Sequence, residues 1–283
     1  LTTTQIQSLA TDQLKALTTT DISGLTTTQV KNFTSTQLGA FSVGQLDAIS
    51  TTGVAALTTT QISGLSSAQV GGLTTAQVTA LTSTQVANLS TTQVKGLTAA
   101  QVKALDTTDV ANLTTTQLGV LTGAQVAAFT TSQINNLTTT ESKALTTTQI
   151  KALTKDQIAG LTVARAGDLT STQLGVLSSE QLNALAVGNL QALTTTQLSG
   201  LSSTQIGQLD KAHVQILTTT QIGKFTTTQL DGFDSKQVSS LTVAQVNTLD
   251  TTQVQSLSTT QVKGFTTTQI NSLSNAQALN LTS

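Results

Sequence analysis

The 283-residue chain contains no Cys, Pro, Met, Trp or Tyr. Without Cys there are no disulfides and no thiolate metal ligands, whatever the compartment. Without Met there is no initiator, so we expect an internal window of a longer protein. Charge is scarce too: 12 Lys+Arg against 13 Asp+Glu, or 9% charged residues, where ~25% is usual. A net charge of -1 gives no long-range field to steer nucleic acid or an anionic membrane surface. No apolar run approaches the ~18 residues a membrane span needs, and there is no signal-peptide core. Aromatics make up only 2% of the chain. That scarcity alone would suggest disorder, but a hydrophobic fraction of 37% at strict spacing argues for an ordered core.

What is present is a repeat. From Leu1 every eighth residue is Leu, Phe or Ile through Leu281, without insertion or deletion, giving thirty-five octads. All six Phe residues and Ile49 fall at this first position. The second position is Thr, Ser or Asp except at Ala10 and Ala186. The fifth is Gln except at Asp21, Gly53, Asp109, Glu141, Arg165, Asn189 and His213. The sixth is Val, Ile or Leu except at Ser142, Ala166 and Ala278. Self-similarity at a fixed period is the signature of repeat architectures.

A Thr, Ser or Asp followed three residues later by Gln is a capping box. The hydroxyl or carboxylate accepts from the backbone N–H three residues on, and the Gln reaches back to the N–H of the cap. Thr2 with Gln5, Thr58 with Gln61 and Thr194 with Gln197 are representative pairs. Each octad is then a helix of roughly six residues. One continuous helix fails, because eight residues advance about 2.2 turns and the apolar stripe would drift roughly 80° per repeat. The chain must bend once per octad, near the Leu-Thr junction. Bending there keeps Leu57 and Ile62, Leu121 and Val126, and Leu193 and Leu198 pointing inward. Helices this short cannot stand alone in water. Only stacking on neighbouring repeats holds them, so we expect an all-α solenoid spanning residues 1–283 as one array. The alternative is a β-solenoid, favoured by Thr and Val. It lacks support because the apolar spacing alternates five and three and never two.

Departures from the consensus cluster in one class of octad. Glu141, Arg165, Asn189 and His213 stand 24 residues apart, and Asp21 belongs with them. Three classes imply about three octads per turn and about twelve coils in all. At ~8–10 Å per layer the stack would be on the order of 100 Å long.

The inventory for chemistry is thin. His213 is the only histidine and Arg165 the only arginine, and both replace Gln at a cap expected to be semi-exposed. The acidic residues Asp12, Asp156, Glu180 and Asp231 have no paired-carboxylate or calcium-loop spacing. One His and interchangeable hydroxyls do not make a Ser/His/Asp arrangement. We therefore expect no catalytic residues, no metal site, no cofactor and no small-molecule substrate. Position-seven lysines such as Lys15 and Lys95 read as solvated late-helix residues. Five Asn-x-Ser/Thr sequons, among them Asn88 and Asn112, arise from the repeat itself. The glycines, mostly at positions seven and eight, read as helix-end punctuation. Thr at positions three and four is expected to be exposed, and a Thr face binding ice or carbohydrate is the alternative function.

Runs such as LTTTQISGLSSAQV at Leu57–Val70 and LTTTQLSGLSSTQI at Leu193–Ile206 resemble octapeptide tracts of very large repetitive bacterial proteins. Those proteins are described as haemolysin-type, adhesin-like or surface exoproteins. The resemblance covers the whole chain and implies a secreted or cell-surface spacer, adhesin stalk or filament that associates with itself, end to end or laterally. It supplies no catalytic residues.

Overall fold

The structure, a computed structural model, describes residues 2–281. These form thirty-five short helices and, among the described residues, no strand, from α1 (Thr3–Ser8) to α35 (Asn275–Asn280). There is one helix per octad, which makes the protein an all-α solenoid. The bend lies where the repeat places it. Leu9 ends α1 at φ -63, ψ 126, and the following cap residue, Ala10, is extended at φ -71, ψ 156. There two extended residues, the second of them the next cap, redirect the chain before the helix restarts.

The helices fall into two compact units, Leu1–Leu145 and Thr146–Ser283. Within each, a helix packs on the helix three places along. In the first unit α7 (Thr51–Ala55) lies on α10 (Thr75–Ala80), and α11 (Ser83–Ala87), α14 (Thr107–Ala111) and α17 (Thr131–Asn136) stack in turn. In the second, α21 (Val163–Gly167), α24 (Val187–Ala192), α27 (Lys211–Ile216) and α30 (Ser235–Ser240) form a similar column. Hydrogen bonds between neighbouring coils join residues 25 to 31 apart. One turn therefore consumes between three and four octads, slightly more than the three expected.

Positions one and six face inward along most of the array. Leu57, Ile62, Leu121, Val126, Leu193 and Leu198 are at most 6% exposed. Consecutive first positions converge, as in the Phe33 and Phe41 rings at 5.1 Å, an edge-on arrangement aromatic pairs favour. A small void in the first unit, about 10 Å³, is lined by Leu46, Ile49, Val54 and Leu57 among other apolar residues. It is no larger than one water and its walls are apolar, so the interior there is packed and dry.

Glycine does a different job from the one its position suggested. None of the described glycines has positive φ, so none closes a helix in the left-handed region. Instead several of them let coils touch. A Cβ on Gly64 would lie 2.6 Å from the Ser35 carbonyl oxygen, and one on Gly39 would lie 2.9 Å from the Gly64 oxygen. The arrangement recurs with Ser67, Gly71 and Gly96, and with Ser171, Gly175 and Gly200.

Candidate functional site

The feature that organises the molecule is the buried side chain at position five. In a typical octad the cap box is complete. The Gln133 backbone N–H donates to Thr130 Oγ1 at 3.1 Å, and Gln133 Oε1 accepts from the Thr130 N–H at 2.7 Å. Two of the four orphan N–H groups at a helix start are thereby satisfied. Thr2 with Gln5, Thr58 with Gln61 and Thr194 with Gln197 have the same two-way bonding.

The other half of the amide serves a different coil. Gln133 Nε2 donates to the Leu105 carbonyl at 2.7 Å and the Val102 carbonyl at 3.0 Å. These are the sixth position of one octad and the first of the next, 31 and 28 residues earlier. Such carbonyls belong to a helix end, where the regular helical hydrogen bonds run out. The sixth-position oxygen keeps at most one bond from the chain that follows it, as Ile6 O does from the Leu9 N–H. Gln61 reaches Phe33 O at 2.6 Å, and Gln197 reaches Leu169 O at 2.7 Å. The pattern runs from Gln37, on Ile6 and Leu9, to Gln277, on Val246 and Leu249. One planar amide thus caps the start of its own helix and the end of a helix in the preceding coil. Burial at 1% exposure for Gln133 makes both halves costly to lose, about 1–3 kcal/mol for each group left unpaired.

The residues that replace Gln test what the position requires. Asn189 is shorter and keeps only the inter-coil bond, Nδ2 to Leu161 O at 2.8 Å. Its cap is Ala186, which offers no side chain. Asp109 has no amide hydrogens, and its inter-coil bond runs the other way: Ser83 Oγ, in α11, donates to Asp109 Oδ1 at 2.9 Å. Burial pushes the Asp109 carboxyl above its ordinary value, with the Ser83 bond opposing and the nearby Asp106 charge adding to the rise. Asp21, at the same octad position but exposed, is shifted the opposite way by hydrogen bonds from Thr18. Glu141 keeps the box, accepting from the Thr138 N–H at 2.6 Å. Gly53 supplies neither half.

His213 does not occupy a semi-exposed cap, whereas Arg165 is part-buried. His213 is 3% exposed, with Nε2 at 2.8 Å from Leu185 O and Nδ1 at 2.8 Å from Asp210 Oδ1. The Arg165 side chain is 14% exposed and pairs with Asp168. Position five is interior because the next coil covers it. The span of 28 to 31 residues between donor and acceptor gives no hint of that in sequence. One signal was available: a capping box accepts Glu as readily as Gln, yet Gln stands here in all but seven octads. Only Gln can also donate.

Among the described residues no three His, Asp or Glu side chains come together at ligating range. Nor is any described helix long and apolar enough to cross a membrane. The family model of the ALTTAQ repeat matches the chain in tandem, at residues 30–67, 43–75, 63–91, 83–115 and 102–139. The chain is thus similar to that repeat over part of its first unit, as befits a tandem-repeat protein. No curated protein matches the chain.

Proposed function

We propose that the chain is a structural repeat segment forming an extracellular or cell-surface rod or filament, as spacer or adhesin stalk, and that it catalyses nothing. The observation supporting this is the amide ladder. Recurring Gln donors on one coil meet recurring carbonyl acceptors on the preceding one, a bonding scheme that can be extended coil by coil. Material is added by adding octads, which is what a spacer of adjustable reach needs. Self-association belongs to the same reading, because the donor face of one coil is complementary to the acceptor face of another. Repeated identical faces make such association open-ended.

Electron microscopy of the purified segment tests it. Rods or fibres of constant width are expected, and compact particles would contradict it. Protease treatment of intact cells tests the location: digestion is expected, and complete protection argues for an interior site. The alternative, a Thr face for ice or carbohydrate, is favoured by the exposure of Thr19, Thr20, Thr51 and Thr52. It is weakened where Val163 and Val187, 57% and 40% exposed, stand in place of the position-three Thr. Thermal hysteresis in dilute solution would favour it.

A further inference from the structure

His213 occupies a ladder position, and its ring touches two oxygens. Nδ1 lies 2.8 Å from Asp210 Oδ1, and Nε2 lies 2.8 Å from the Leu185 carbonyl, 28 residues earlier in the preceding coil. Asp210 Oδ1 already accepts the backbone N–H of His213 at 2.9 Å. Both ring nitrogens therefore face acceptors. A neutral imidazole carries one N–H and one lone pair, so it can serve one of these oxygens and must turn its lone pair on the other. The imidazolium serves both.

A second observation shows that the surroundings relieve the ring of any accepting role. In most other octads the backbone N–H of the cap donates to the position-five side chain. Here the Asp210 N–H donates instead to Asn183 Oδ1, at 3.0 Å, from the preceding coil. Asn183 Nδ2 in turn donates to the Gln208 carbonyl at 2.7 Å. The acceptor that Gln would have provided is thus supplied by Asn183, and the ring at 213 is left with donor duties only.

We infer that His213 is a proton-operated tie between successive coils of the second unit. Charged, it binds Asp210 on its own helix and Leu185 on the preceding coil. On losing its proton it gives up one of the two bonds. Of the helices packed on α27, α24 carries no charged side chain. α30 carries Lys236, with Asp234 at its cap, and Lys211 precedes the histidine on its own helix. Asp210 is the charged group bonded to the ring. Burial would raise its carboxyl, but hydrogen bonds from the His213 backbone and ring hold it below its ordinary value. Asp210 therefore ionises more readily than an ordinary carboxyl and is available to the charged ring. A cation that gains acceptors on folding stabilises the fold at low pH. That contribution is lost when the ring gives up its proton.

The test compares the full chain with His213→Gln in denaturant titrations from pH 5 to pH 8.5. Gln restores a ladder amide that does not titrate. The wild-type midpoint is expected to fall relative to that of the variant as pH rises, and parallel profiles would overturn the inference. Because the chain has one histidine, ring nitrogen-15 spectra of the wild type report the same site without any substitution. A doubly protonated ring with slowly exchanging protons is expected on the acidic side. A neutral tautomer at every pH where the chain is folded would also overturn it.

Discussion

The two units share a repeat and differ in how they treat its exceptions. In the first, Gly53, Asp109 and Glu141 replace ladder glutamines, and none of them carries an amide to give the preceding coil. Asp109 survives by reversing the bond, with Ser83 as donor. In the second, Asn189 and His213 still donate to the carbonyls 28 residues back, Leu161 and Leu185. The octad tolerates changes at position five when a hydrogen-bond partner is found across the coil, by whichever side supplies the proton. Each function can be given up at a single octad: Ala186 offers no cap while Asn189 keeps the joint, and Glu141 keeps the cap without an amide to donate.

The largest effect expected from breaking this scheme lies in the interior common to both units. Leu121→Asp places a charge at a site only 4% exposed and should cost more than about 4 kcal/mol. Thr115→Asp, at an exposed first-turn position, should stay within about 0.5 kcal/mol. Thermal unfolding of the two variants checks the contrast, and equal shifts would refute the inside-outside assignment.

Asp109→Gln should bring the first unit closer to the second. It restores amide donors toward Leu81 and Val78 at the expense of the Ser83 bond, for a gain of about 1 kcal/mol. The effect depends on pH. A carboxyl whose folded value is raised is penalised when ionised, so wild-type stability falls as pH rises from 3.8 through that raised value. The advantage of the variant should therefore be largest at neutral pH and shrink in acid. An advantage that grows in acid would contradict the account.

The smallest effect concerns Gly53. A Cβ there would lie 2.9 Å from Ile49 Cγ2, and Ile49 is the one β-branched residue at the first position. The two exceptions fit each other. Gly53→Gln alone should be neutral or mildly destabilising, whereas Gly53→Gln with Ile49→Leu should be stabilising by about 1 kcal/mol. A coupling energy near zero in the double-mutant cycle would separate the two positions.

Much of the solenoid is legible in the sequence because its rules are local. The cap at Thr130 and its partner Gln133 are three residues apart, and the inward pair Leu121 and Val126 lies within one octad. The ladder is not local. Gln133 meets Leu105 and Val102 only after the coil has closed, and the number of octads per turn is set by bend angles that no residue announces. The burial of His213 was missed for the same reason. The pairing of Ser35 with Gly64 and of Ser67 with Gly96 is visible in sequence only once the 29-residue offset is known. Its cause is backbone contact between coils, not helix termination.

The central claim is that position-five glutamine works with both ends of its amide. Gln133→Glu separates the two, since Glu serves the capping box equally well but puts an oxygen against the Val102 and Leu105 carbonyls. Equilibrium unfolding of that variant at pH 7 should show a loss of about 2–3 kcal/mol, partly recovered on acidification as the carboxyl gains a proton to donate. A variant as stable as wild type at pH 7 would mean that the cap alone holds the array, and would contradict the ladder.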